Sequence, residues 1–378
     1  MSVDAARIHG NDTQIDQVRA LDPLNADQIC FDLRAMNEAA DLPAMITALR
    51  DLLPSREALE AYGMEECLAA MRDLGMFLGS IKRHGKQPVQ VVPEVVPILT
   101  ELGARTDMIP RDTVHHYCTW NPLGDRQRMY TGDEQENHLQ DSVRMVFPHL
   151  RAGLELCHLL GDFDPADPKF AVLVDALNAE MRWMVDSIDL VLDKVSPVFF
   201  ARTLRPYFEE IELGDRIYLG PAAAQVPLWL IDEAMWASDR GEPNYQEFLR
   251  DSVPYSLPRW RELHEEWVRQ PSLVTRLMEA CGDYPGEGRR WAPALHASAV
   301  SIARMLRTVI VFRGRHLGIA RQAYQEEVRL YPVGSGGASV DLLHDIITLT
   351  RENAQLVKTM GGRRGSEPAR QTVTGVGV

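Results

Sequence analysis

The residues of this chain best suited to chemistry are a histidine at the end of an apolar run and a glycine-rich loop after it. The first is Phe312-Arg313-Gly314-Arg315-His316 and the second Gly334-Ser335-Gly336-Gly337. A neutral imidazole on an apolar helix can be the axial ligand of a haem iron. Glycines let bare backbone come close to a bound ligand. Stepping back from His316 by three or four residues reaches Phe312, Val309 and Met305, and stepping forward reaches Ala320 and Tyr324. The histidine therefore sits on an apolar stripe that could lie against a flat macrocycle. Arg313 and Arg315 flank it, and either guanidinium could pair with a propionate. A histidine on such a stripe is also commonly a hydrogen-bonded core residue, so both readings stand at this point.

The other histidines, eleven in all with His316, offer less. His115-His116 reads as a loop pair without a third ligand, and His84 falls at a polar helix end. None forms an H-x-x-x-H or H-x-x-E pair, which disfavours a zinc or non-haem iron site. Five cysteines are scattered and never in C-x-x-C spacing, the pattern of buried thiols and not of a disulfide framework.

Helical periodicity must position these residues. In 66–82 the apolar Leu68, Met71, Leu74, Leu78 and Ile81 recur at three- and four-residue steps, as a packed helix requires. Similar stripes run through 137–160, 168–195, 226–236, 258–268, 291–328 and 340–360. Pro88, Pro93 and Pro97 punctuate 87–99, which predicts a helix only in its second half. The polar, turn-rich stretch from Thr119 to Gly132 suggests a connection between domains. The prediction is an all-α fold: a small helical domain over 1–121, a linker over 122–135, a large helical domain over 136–360 and a disordered tail over 361–378.

Composition narrows the function. The 378 residues are 45% hydrophobic and 25% charged, ordinary for a globular protein. A formal charge of −14 argues against nucleic acid as a partner, because phosphate binding needs a basic face. There is no uninterrupted apolar run of membrane-spanning length, and residues 1–16 lack the apolar core of a secretory signal. A cytoplasmic protein that binds a small molecule is the expectation, with a homodimer left open.

The motifs taken together resemble the haem-dependent indoleamine and tryptophan dioxygenase superfamily over nearly the whole chain. Arg313 and His316 match the arginine and histidine of its proximal helix, and Gly334-Ser335-Gly336-Gly337 matches its G-T-G-G loop. The segment from Ser196 to Arg205 resembles the one ending in the arginine that binds substrate carboxylate. Gly220-Pro221-Ala222-Ala223-Ala224-Gln225 resembles the distal G-G-S-A-G-Q turn. The chain is most similar to the pyrrolnitrin-biosynthesis branch, the monodechloroaminopyrrolnitrin synthases, in blocks such as Phe77-Leu78-Gly79-Ser80, Trp120-Asn121-Pro122 and Tyr218-Leu219-Gly220-Pro221.

The resemblance implies a b-type haem whose iron is held by His316, with Arg313, Gly220 and Ala222 at the cofactor. It implies Arg205 on the substrate carboxylate, Phe200 on its ring, and Ser335, Gly336 and Gly337 beside it. Tyr324 would lie near the substrate. His138 and Ser142, four apart and so on one helix face, would stand on the distal side, where His138 could donate to bound dioxygen or shuttle a proton. Pro221, Ala222 and Val226-Pro227 depart from the indoleamine enzyme and imply a reshaped distal pocket. The expected function is oxidation of tryptophan or a substituted tryptophan with dioxygen or peroxide, including ring rearrangement in specialised metabolism. Ordinary 2,3-dioxygenation is the alternative within that class. Outside it stands a non-catalytic haem or aromatic-ligand binder, with His138 as a second axial ligand.

Overall fold

The computed structural model describes residues 8, 10–282, 293–325 and 327–361. The tail predicted to be disordered lies, beyond Gly361, outside the described residues. The amino-terminal part winds α1 (Asp12–Ala20), α2 (Asp27–Glu38), α3 (Leu42–Asp51) and α4 (Arg56–Ala61) around α5 (Met64–Arg83), with α6 (Pro88–Val91) and α7 (Val95–Thr106) alongside. Starts are set by side-chain caps: Asn11, Asp41 and Ser55 each accept from the backbone N–H three residues on, satisfying donors a helix end leaves open. Helix α6 was not expected. Pro88 stands in the first turn, where its missing N–H and fixed φ suit the helix start.

Helix α5 is the axis of this part, buried without a break from Cys67 to Ile81. It carries a charge cluster inside the core. Arg72 donates to Asp73 Oδ1 at 2.8 Å, and Arg128 donates to the same oxygen at 2.9 Å. Arg128 belongs to the stretch read as a linker, in which 123–125 and 132–134 are exposed but Arg128, Met129 and Tyr130 are buried. Trp120, Asn121 and Tyr130 have no exposed surface. Asn121 Nδ2 donates to the carbonyls of Tyr117 and Arg128, both at 2.8 Å. The polar residues that look like turn formers satisfy backbone groups between helices. His115 to Thr119 form a π-helical turn, buried throughout, and not the loop expected for His115-His116.

The larger part rests on four long helices: α8 (Glu134–Gly161), α9 (Pro168–Lys194), and, after a run of shorter ones, the last two. A hairpin of β1 (Ile211–Leu213) and β2 (Arg216–Tyr218), paired Ile211 to Tyr218 and Leu213 to Arg216, is the only sheet among the described residues. Then follow α10 (Leu228–Asp232), continued by a π-turn Glu233–Ala237, α11 (Ser238–Arg240), α12 (Pro243–Ser252), α13 (Pro258–Trp267) and α14 (Leu273–Gly282). Helices α15 (Pro293–Ala323) and α16 (Val340–Gly361) close the chain. The architecture is the all-α one expected.

Helix α15 packs along both α9 and α16, and α8 packs along α9. By length and composition α15 could cross a membrane, although the sequence shows no uninterrupted apolar run of that length. Here Leu295, Ile302, Met305, Leu306 and Val309 of α15 are buried in the core. The five cysteines are buried and unpaired.

Candidate active site

Past Val309 the inner face of α15 leaves the packed core and becomes one wall of a cavity of about 300 Å³, within the range of ligand pockets. The stripe read from the sequence lines it: Phe312, His316, Ala320 and Tyr324 all reach the wall. Opposite walls come from α8, α9, the π-turn at Tyr117, the turn at 221–226 and the loop at 334–339.

His316 is exposed, but to this void. Desolvation of the imidazole by the protein around it, with the Arg313 charge one turn away, lowers the histidine's pKa to about 4. The imidazole is therefore neutral across the physiological range. Its ring lies 6.0 Å from that of Phe312, and neither ring nitrogen has a hydrogen-bond partner among the described residues.

The other polar groups on the wall are mostly engaged. Ser142 Oγ donates to Leu139 O at 2.7 Å, and Ser187 Oγ donates to Ser142 O at 2.8 Å. Tyr117 Oη donates to Glu136 Oε1 at 2.7 Å. Tyr245 Oη donates to Asp232 Oδ2 at 2.5 Å. An unpaired, neutral imidazole facing predominantly apolar walls fits axial ligation of a haem.

Arg313 lines the cavity but does not offer a free fork. Its Nη1 donates to Asp232 Oδ1 and Thr350 Oγ1, both at 3.1 Å, and its Nη2 donates to Asp232 Oδ2. Asp232, 2% exposed, also accepts from Trp236 Nε1 at 3.3 Å. The propionate pairing expected of Arg313 thus meets a committed internal partner. Arg315 turns outward to Asp189 at 2.5 Å, both half-exposed.

His138 corrects the expectation made for it. It is absent from the cavity wall, lying 3.4 Å from Glu134 Oε1 on the outer side of α8, while Leu139 and Ser142 face in. One residue's offset turns a helical side chain through 100°, which separates His138 from its neighbour. Among the described residues no second histidine lines the cavity, so nothing there supports a bis-histidine carrier. His115, also nearby, is sealed among Trp120, Phe147 and Trp260, and burial lowers its pKa to about 3.

Phe200, Ser142, Tyr324, Ser335 and Gly336 all reach the cavity. Arg205 does not. It is 2% exposed and packed behind Tyr324. Its guanidinium lies 4.4 Å from the Tyr331 ring centroid and 3.7 Å from Glu210 Oε1. Burial raises the Tyr324 pKa, and the Arg205 charge at its hydroxyl partly offsets this. Arg205 thus touches the cavity through a phenol.

Gly220 and Ala222 shape the wall from outside it. A Cβ on Gly220 would meet the Phe208 backbone at 2.8 Å, so the glycine permits a chain crossing. Pro221, Ala223 and Ala224 present the surface. A Cβ on Gly336 would stand 2.5 Å from Ala224 Cβ, so the 334–339 loop closes against that turn only because it is bare there. Gly337 supplies the left-handed φ of +80° that lets the Gly334 N–H reach Ala338 O at 2.9 Å, and is itself off the wall.

Two partners were missed by sequence reasoning. Asp232, with Glu233 after it, interrupts the apolar stripe 226–236, a visible oddity. Glu136, buried on α8 beneath Tyr117, carried no such signal among neighbouring acids. With this geometry in place, one comparison bears on identity. The family model described as monodechloroaminopyrrolnitrin synthase PrnB matches residues 15–365, nearly the whole chain, and this protein belongs to that family.

Proposed function

We propose that this protein oxidises tryptophan or a ring-substituted tryptophan and rearranges its indole, as an enzyme of specialised metabolism located in the cytoplasm. Membership of the family makes it a haem-dependent oxygenase acting on a tryptophan-derived compound. The observation that carries the assignment of roles is the neutral, unpartnered imidazole of His316 on the wall of an apolar cavity.

His316 would hold the haem iron, which supplies the binding and activation of dioxygen when present. Asp232 fixes the Arg313 charge beside that ligand, so the ligand's basicity is set by a rigid pair and not by solvent. Phe200 offers a ring face to an indole. Ser335 has a hydroxyl without a partner among the described residues, in a loop whose bare backbone allows close approach, and so can hold a polar end of the amino acid. Arg205, acting through Tyr324, attracts a carboxylate without entering the cavity. Holding the amino acid in one orientation makes its encounter with the oxidant effectively intramolecular, a large entropic gain. The apolar walls exclude competing water.

The testing experiment compares His316→Ala with the parent. The expected result is loss of the Soret band and of conversion of an indole amino acid, followed by product mass, with unchanged far-ultraviolet circular dichroism. An unchanged Soret band in the variant would overturn the assignment.

A further inference from the structure

We infer that Tyr117, Tyr130 and Tyr207 form a stacked column that carries single electrons between the cavity and the protein surface, with Glu136 taking the phenolic proton at the cavity end. This rests on the haem reading above and adds a redox function to residues that reading does not use.

Tyr117 is on the cavity wall. Its ring lies 5.6 Å and 27° from Tyr130, which lies 4.5 Å and 15° from Tyr207. Both pairs are in van der Waals stacking range, so no gap interrupts electronic contact along the column. Phe208 stands edge-on to Tyr117 and Tyr130, at 5.2 and 6.0 Å, holding the rings in place. Tyr207 is the outermost ring. It is 5% exposed and lies beneath the half-buried Arg83, whose guanidinium is 5.9 Å from its centroid.

Neutral phenols are hard to oxidise unless the hydroxyl proton can leave as the electron does. Tyr117 has that provision, since its hydroxyl already donates to Glu136 Oε1 at 2.7 Å. Glu136 is held by the Tyr130 and Thr131 N–H groups and the Thr131 hydroxyl, at 2.7, 2.8 and 2.7 Å. Burial nevertheless raises its pKa, making it a better base than an ordinary carboxylate. Tyr130 lacks such a partner, its hydroxyl being buried without a hydrogen bond. It can bridge two rings but is a poor resting place for a radical.

Tyr245 is the competing candidate. It too lines the cavity and donates to a carboxylate, Asp232. That carboxylate is already occupied by Arg313. The Tyr245 stack runs to the wholly buried Trp236 on one side and to Phe248, on the wall of the same cavity, on the other. A phenylalanine has no phenolic proton to release with an electron, so that stack offers no relay of the same kind.

A haem held by His316 would reduce hydrogen peroxide to water when no indole is bound and so hold two oxidising equivalents, which the column would discharge in two successive one-electron passes, the second oxygen leaving as water with two protons from solvent. In each pass Tyr117 gives up one electron to the haem and its proton to Glu136, becoming a neutral tyrosyl radical beside a carboxylic acid. An electron from Tyr207, passing through Tyr130, refills Tyr117, which recovers its proton from Glu136. Tyr207 releases its own proton to water. A one-electron donor of the ascorbate class then returns an electron and a proton to Tyr207. The column spares the cavity from oxidation when substrate is absent.

The test uses holoprotein whose Soret band and iron content have been established. Ferric protein is mixed with hydrogen peroxide and no indole, frozen for electron paramagnetic resonance, and in parallel treated with a nitroso spin trap and mapped by peptide mass. The parent should show a tyrosyl signal, a trap adduct on Tyr207 and quenching by ascorbate. In Tyr207→Phe the surface adduct should vanish while a tyrosyl signal persists and resists ascorbate. In Tyr117→Phe the Tyr207 adduct should fall to background and peroxide should bleach the haem faster. An undiminished Tyr207 adduct in Tyr117→Phe overturns the proposal, as does a radical lost in Tyr245→Phe but not in Tyr117→Phe. Absence of a Soret band in the parent would instead overturn the haem reading beneath it.

Discussion

Replacing Asp232 by asparagine isolates the carboxylate that Arg313 uses. The pair is sealed, Arg313 being 5% and Asp232 2% exposed, and the guanidinium contacts both carboxylate oxygens. Asparagine keeps the size and one acceptor for Tyr245 or Trp236, but removes the charge. Breaking a buried pair from one side costs about 3–5 kcal/mol, because the remaining ion has lost its compensation. Per kcal/mol a chain of 150–250 residues loses about 2–4 °C in Tm; taking the lower end for this longer chain, the variant should melt roughly 6–10 °C below the parent. The assay is thermal unfolding of the apo-protein beside titration with ferric haem. Haem affinity should fall too, since an uncompensated cation one turn from His316 disfavours a positive iron at its nitrogen.

The double variant Asp232→Asn with Arg313→Met makes the reasoning refutable. Deleting the cation as well removes the buried unpaired charge, so the double variant should be more stable than Asp232→Asn alone, with a coupling of about 0.5–3 kcal/mol. If Asp232→Asn melts within a degree of the parent, the pair contributes no stability and the argument fails. If the two losses simply add, the residues do not act as a pair.

Two further outcomes follow from the site. His138→Ala should leave the Soret band and substrate turnover unchanged, because that ring sits by Glu134 outside the cavity; steady-state kinetics with an indole amino acid checks this, and a large loss of kcat would place the ring inside. Haem uptake should stay level as pH falls through 6.5 and decline only towards about 4, the lowered pKa of His316. The sign follows from burial. The folded imidazole stays neutral and able to bind metal where an exposed one is already protonated, while the unfolded chain takes up a proton below 6.5, so the apo-protein loses stability over the same interval. Soret absorbance against pH, with circular dichroism as the check on folding, distinguishes this from loss at 6.5.

How much of this was visible in the residues depends on the range of the interaction. The all-α class and the inner stripe of α15 follow from spacing within one helix, and Phe312, His316, Ala320 and Tyr324 do share a wall. The same reasoning failed at His138, where a choice between adjacent positions on α8 decides which face is inward and periodicity near a helix start is weak. It failed at the stretch around Trp120 and Arg128, whose polar residues look solvated until the carbonyls and carboxylates they bind are brought in from α5 and the π-turn.

The deeper limit is that a site is made by pairs, and a pair contributed by distant segments has no local signature. Arg313 read as a candidate partner for a haem propionate because it flanks His316, whereas its guanidinium is taken by Asp232. What could not be read was which partner, since Asp232 lies on α10, across the fold. The same holds for Tyr117 and Glu136, and for Arg205 behind Tyr324. In each case the chemistry of the cavity wall is set by a buried group one layer back: a carboxylate orients a cation, a carboxylate accepts a phenol's hydrogen bond, a cation tunes a phenol. Among the described residues, His316 is the one histidine on the wall, and its ring nitrogens have no partner. In the function proposed above, the preference for a haem over another flat apolar guest would rest on that one imidazole, while the layer behind it would set how the bound group behaves.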